Sequence, residues 1–220
     1  MYNLCLLVSH FYPVKSSCSS LFKDLIKSLL KKNFKITIIT ISGTKDKIKV
    51  INTKKLTYIG LKNRNLHSSN NYLRALGEIK TIFKIRNFIN KKKLSSFDEV
   101  IVYTPTIFWS LLLLKLKKKL VTIKMADLYP KWLVDHKILN KFSFSFFFLK
   151  FFELLLYFQA DRVYVQTPKD MNYIRKYKKF FNFEADVLYN WIYTDNLVNK
   201  KKSRKNQKYI RFIFIGMIDL

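Results

Sequence analysis

The sequence predicts an α/β protein built on a Rossmann-like parallel sheet with helices on both faces. Three observations predict it. Short apolar, β-branched runs alternate with segments of helical period as far as Leu188. The run Leu120 to Met125 passes straight into Ala126-Asp127-Leu128-Tyr129-Pro130, so a buried strand delivers a carboxylate to the loop at its C-terminal end. Thr104-Pro105 and Thr167-Pro168 each set a capping hydroxyl ahead of a proline, directly after an apolar run, which is the start signal of a helix.

In chain order, Asn3 to Ser9 is a first strand, followed by His10-Phe11-Tyr12-Pro13 and a serine-rich loop from Lys15 to Ser20. Leu21, Leu25 and Leu29, with Phe22, Ile26 and Leu30, recur at four-residue spacing and form the apolar face of a helix. Ser16, Ser17 or Ser19 caps its first turn. Lys35 to Ser42 (KITIITIS) is the second strand and Leu56 to Ile59 a weaker one. Asn63 to Asn71 is a polar loop, and Tyr72 to Lys92 has helical periodicity with a basic end. Glu99 to Tyr103 is a strand, and Thr104-Pro105 starts a helix expected to run through Lys117. The strand Leu120 to Met125 leads to a helix beginning near Pro130, which Asp127 is placed to cap. Phe142 to Phe158 is an aromatic helix, Arg162 to Gln166 a strand, Thr167-Pro168 a helix start, and Ala185 to Leu188 a short closing strand. Residues 1–192 thus form one Rossmann-like domain, 193–209 a basic linker, and 210–220, with Ile210 to Ile215 as IRFIFI, the first strand of a truncated second domain.

Composition excludes some classes and leaves others open. A chain of 220 residues with 49% hydrophobic and 25% charged residues is globular rather than disordered. The 42 basic and 14 acidic residues leave a formal charge of +28, which invites anionic partners such as nucleic acid or an acidic membrane. The bias of an AT-rich coding sequence, with much Lys, Asn, Ile and Phe and only 4 Gly and 4 Pro, is a competing explanation of the same charge, so charge alone decides little. Nucleic acid is disfavoured because the basic residues are spread along the chain and no recognised binding motif is present. Cys5 and Cys18 form neither a CxxC nor a paired framework, so a zinc cluster and disulfides are not expected. The N-terminus lacks a basic segment ahead of its short apolar run, so it reads as a strand and not as a secretory signal, in keeping with a cytoplasmic chain.

The loops at the carboxyl ends of the strands converge on one crevice in such a sheet. They bring together His10, Ser16, Ser17, Thr104, Asp127 and Tyr129, a set of hydroxyls, one imidazole and one carboxylate suited to a polyhydroxylated ligand. Neither GxGxxG nor GxxxxGK[ST] occurs, so dinucleotide redox chemistry and P-loop hydrolysis are not expected. Asp127 is either a general base and positioning group for an acceptor hydroxyl or a helix cap. His10, His67 and His136 have no metal-ligand spacing, so no metal and no cofactor are expected. In FSFSFFFLKFFELLLYF, Lys150 and Glu153 fall near the centre, which argues against a spanning helix. Burial against the sheet and an interfacial position on an anionic membrane, with help from Lys91 to Lys93 and Lys117 to Lys119, both stay open.

Four segments in order resemble the N-terminal, acceptor-side half of family 4 glycosyltransferases of the GT-B fold, nearest to the fucosamine-type enzymes of bacterial surface polysaccharides. They are LLVSHFYPVKSSCSSLFKDLIKSLLKKNFKITIITI from Leu6, IVYTPTIFWSLLLLKL from Ile101, IKMADLYPKWLVDHKIL from Ile123 and ADRVYVQTPKDMNYI from Ala160, continuing to VLYNWI and FIFIGMI. The resemblance implies sugar transfer from a nucleotide-sugar donor to a lipid-linked saccharide, on the inner face of the cell membrane. Asp127 would be the catalytic or positioning group, and His10, Ser16, Ser17, Thr104 and Tyr129 the acceptor-binding set. It also implies a C-terminal donor domain, with its E-x7-E motif, of which this sequence holds one strand, so an incomplete or split enzyme without turnover of its own is expected. The loop after strand one departs from the family, with Val14, Lys15, Ser16 and Ser17 where glycines and an acidic residue are usual. The alternative is a non-catalytic membrane-surface or partner-binding module with the same fold.

Overall fold

The structure is a computed structural model that describes residues 1–191 apart from 13, 44, 46, 64–67, 69–70 and 92–95. His67, Lys92, Lys93, the linker and the IRFIFI strand lie outside the described residues. The strands are β1 (Tyr2–Val8), β2 (Phe34–Thr40), β3 (Lys49–Asn52), β4 (Leu56–Gly60), β5 (Phe97–Tyr103), β6 (Lys118–Lys124), β7 (Arg162–Val165) and β8 (Glu184–Val187). They form one sheet in the order β3-β4-β2-β1-β5-β6-β7-β8. Every neighbouring pair is parallel except β3 with β4. β1 pairs with β2 on one side and β5 on the other, so the chain builds outward from β1 in both directions and leaves a topological switch point between β1 and β5.

The central strands are apolar on both faces because both faces are covered. In β1, Cys5 and Leu7 enter one core cluster while Leu4, Leu6 and Val8 enter the other. The helix α1 (Ser17–Lys31) covers the second face through Leu21, Phe22 and Ile26. The opposite face carries α2 (Asn71–Lys91), α3 (Trp109–Leu113), α5 (Phe144–Gln159) and α6 (Pro168–Arg175), with the short α4 (Lys131–Asp135) at the edge where the strands end. Gly43 follows β2 where the backbone of Leu61 passes, and a β-carbon there would stand 2.6 Å from the Leu61 amide nitrogen, so this crossing admits only glycine.

One strand was not expected and one local expectation is corrected. β3, with the sequence KVIN, is an antiparallel edge strand that the periodicity did not announce, since all of its residues are exposed. Thr104-Pro105 does not start a helix: α3 begins at Trp109 and ends at Leu113, well short of Lys117, and β6 opens at Lys118. Thr104 instead lies buried past the end of β5, where its hydroxyl accepts from the Ala126 amide at 3.1 Å. A tertiary bond between neighbouring strand-end loops has displaced the local cap. The parallel signal at Thr167-Pro168 holds, since Thr167 Oγ1 accepts from the Asp170 amide at 3.2 Å and starts α6.

Candidate functional site

The crevice at the C-terminal edge of the sheet has a floor of bonded hydroxyls. Ser9 Oγ and Thr106 Oγ1 lie 2.6 Å apart across the switch point, joining the loops after β1 and β5. Thr40 Oγ1 donates to the Ser9 carbonyl at 3.1 Å and lies 2.9 Å from Ser42 Oγ, which accepts from the Phe11 amide at 2.9 Å. Thr106 also bonds Glu78 of α2, and Arg74 Nε stands 3.7 Å from the Glu78 carboxylate. Burial pushes the Glu78 carboxyl up to about 7, against the pull of Arg74 and Thr106. This floor fixes the loops to one another.

The residues singled out from sequence occupy different layers. His10 is half-buried in the loop after β1. Ser16 caps α1, accepting from the Ser19 amide at 3.0 Å, so its hydroxyl is committed to the helix, while Ser17 is exposed at the first helical position. Thr104 is fully buried and positions the β6 loop through Ala126. Tyr129 is half-buried, its phenol shifted up by burial, with the charges of Arg74 and Glu78 acting on it in opposite senses.

Asp127 stands at the lip of the crevice. Its capping role is corrected, because α4 has Pro130 at its N-cap position and receives no side-chain cap bond. The Asp127 carbonyl accepts from the Tyr129 amide at 3.0 Å, and among the described residues no group donates to its carboxyl. The residue is exposed, yet the surrounding loop desolvates the carboxyl enough to raise its pKa, and the charge of Asp170 pushes the same way. A carboxylate held open, short of donors and with raised proton affinity is equipped to accept a proton or hydrogen bond from a bound hydroxyl.

Lys124 escaped the sequence reading. It is 1% exposed, and its ammonium donates to the Leu188 carbonyl beyond β8. Desolvation lowers its pKa to about 8, with Asp170 opposing. Asp170 therefore acts electrostatically on both Lys124 and Asp127 and links the loops after β6 and β7. The signal was a single lysine in an otherwise apolar strand end, Val121-Thr122-Ile123-Lys124-Met125. Among the described residues no group of three His, Cys, Asp or Glu side chains is placed to hold a metal ion.

Beside the crevice, an apolar groove of about 300 Å³ opens between the start of α2, the turn after α4 and the start of α5. Tyr129 lines it, so the groove and the Asp127 loop share a wall.

Searches with the sequence match no family model and no curated protein. Solved structures do match. A sucrose-phosphate synthase chain from Thermosynechococcus elongatus superposes with a TM-score of 0.56 at 12% identity, over 89% of this chain and 92% of that one. An alpha,alpha-trehalose-phosphate synthase (UDP-forming) from Burkholderia vietnamiensis gives 0.58 at 11% identity, over 90% of this chain and 49% of that one. The fold is a Rossmann-like half of GT-B. An E. coli trehalose-6-phosphate structure bound with UDP-2-fluoro glucose gives 0.54 at 11% identity, over 86% of this chain and 49% of that one. The chain thus spans about half the length of the Burkholderia vietnamiensis and E. coli chains it matches.

Proposed function

We infer that this GT-B half is the acceptor-side domain of a sugar transferase. The observation that carries the inference is Asp127: a carboxylate of raised pKa to which no described residue donates, at the C-terminal lip of β6, where open α/β sheets bind ligands. In this reading the acceptor is a lipid-linked saccharide of a surface polysaccharide. Asp127 accepts from the attacking hydroxyl, and Ser17, His10 and Tyr129 line the sugar's path. Thr104 and Ser16 act one step back, holding the loops. The nucleotide sugar, the substrate of a donor-binding half, is not held by these residues alone, and neither a metal nor a cofactor is invoked. The family 4 and fucosamine-type assignments rest on the motif resemblance and belong to the same reading.

The test is an NMR titration of the 220-residue chain with glycolipid acceptors and, separately, with UDP-sugars. Shifts at Asp127, Tyr129 and Ser17 caused by glycolipid alone support the assignment. Tight UDP-sugar binding or transfer by this chain alone overturns it. Joined to a donor half, Asp127→Asn is expected to lower transfer by roughly 10²-fold or more, the usual contribution of a general base.

A second reading, a non-catalytic membrane-surface or partner-binding module, is favoured by the exposed phenylalanines of α5. Anionic-vesicle binding that survives Asp127→Ala, with no glycolipid shifts, selects it.

A further inference from the structure

α5 inverts the usual arrangement of a surface helix. Its inner face packs on the sheet through Leu149, Phe152 and Leu156, while the positions facing outward are again apolar, where polar residues are the rule. Phe144, Phe147 and Phe151 are 84%, 58% and 60% exposed, and Phe142 in the preceding turn is 82% exposed. Their spacing of three and four residues aligns them along one side of the helix. The apolar surface continues across the groove to Leu76 of α2 and to Ile138. Tyr72 OH and Ser145 Oγ, 3.0 Å apart, tie the two helices together at that edge. A contiguous exposed apolar face of this kind marks an interaction surface.

The charges around it decide the partner. Lys137 and Lys141 are exposed beside the groove residues Ile138, Leu139 and Phe144, and among the described residues neither has a carboxylate partner. Of the carboxylates in this stretch, Asp135 is paired with Lys131, and Glu153 is buried with Lys150. The face is thus apolar with an uncompensated cationic border. A second copy would bring the same border and a net charge of +28 against it, so self-association is opposed by like charge. An anionic bilayer complements both parts, hydrocarbon for the phenylalanines and headgroup phosphates for the lysines. α5, at 16 residues, is too short to cross a bilayer, and no described helix is long and apolar enough to do so.

We propose that the face formed by α5, the turn before it and the start of α2 docks on an anionic lipid bilayer, inserting Phe142, Phe144, Phe147 and Phe151 with Lys137 and Lys141 at the headgroups. Because α2 begins, and α5 begins, at the edge of the sheet where the strands end, docking sets the Asp127 crevice beside the membrane surface. The proposal uses the acceptor reading only to say what docking is for. Vesicle binding is measured without any sugar, so either idea can fail while the other stands.

The experiment uses the full chain with vesicles of phosphatidylcholine alone or mixed equally with phosphatidylglycerol, in physiological and in high salt. Cosedimentation with the anionic vesicles is expected to drop at least tenfold in Phe144→Ser/Phe147→Ser/Phe151→Ser. Lys137→Glu/Lys141→Glu is expected to weaken it more than the equal charge change Lys49→Glu/Lys55→Glu on the β3 side of the sheet. In a Phe144→Trp variant, the added emission shifts to the blue on vesicles and is quenched by brominated acyl chains. That readout needs no destabilising change and stands if the triple variant fails to fold. Unchanged binding by a folded triple variant, or an added Trp that brominated lipid does not quench, reduces binding to bulk charge and overturns the proposal. Blue-shifted emission before vesicles are added, with a dimer in light scattering or with a monomer whose own chain covers the face, also overturns it.

Discussion

At the scale of single residues, the buried carboxylates set the pH response of the fold. Glu78 is raised from its ordinary 4.5 to about 7, chiefly by burial. Below the lower value the group is protonated in both states and its contribution is fully present. As pH climbs to the upper value the unfolded chain gives up a proton the folded chain retains, so stability falls, by of the order of 3 kcal/mol across the window. Glu78→Gln keeps a polar partner for Thr106 and removes this titration, so its melting temperature should decline less from pH 5 to 8 than that of the parent. Burial raises Glu153 as well, against the pull of a network that leaves it well bonded: Tyr157 donates to it at 2.8 Å, Tyr173 at 3.0 Å, and Lys150 pairs with it while lying over the rings of Tyr173 and Tyr177. Lys150 and Glu153, which counted against a spanning helix in the sequence, thus bind α5 to the α6 region. Glu153→Ala strands the lysine and should cost about 3 kcal/mol in urea unfolding. A loss below about 1 kcal/mol would show the network to be dispensable.

At the scale of elements, most boundaries follow from local chemistry. α1 is closed at its start by Ser16, and Ser16→Ala should lower stability by about 1 kcal/mol, the usual worth of such a cap, whereas Ser17→Ala should change it little. Gly43→Ala is expected to be more damaging than either, since the added carbon meets backbone and not a movable side chain. A folded Gly43→Ala protein with unchanged melting temperature would mean that the loop gives way. The strands β1, β2, β5 and β6, helix α1, helix α2, the Phe-rich α5 and the Thr167 cap of α6 were all legible from period and capping residues. α3 was not legible in its length, because Thr104 had two bonding choices and only the folded neighbourhood of Ala126 offered the second. β3 was not legible either, since an edge strand whose residues are all exposed leaves no alternation of burial in the sequence.

At the scale of the molecule, the sheet order places protection at its centre. Amides of β1, β2 and β5, bonded on both sides and apolar on both faces, should exchange with solvent most slowly, and those of β3 and β8, at the two edges, first. Early exchange of β1 would contradict the topology. Sequence alone determined the fold class, the position of Asp127 past a strand end and the apolar character of Phe142 to Phe158, because period, capping and hydropathy are properties of neighbouring residues. Tertiary structure alone decided that Asp127 does not cap α4, that Thr104 is a buried tie, and that Lys124 and Glu78 sit at the crevice with shifted proton affinities. It also decided which phenylalanines of α5 face outward. These depend on desolvation and on bonds between loops far apart in the chain, and neither is encoded in any local window of residues.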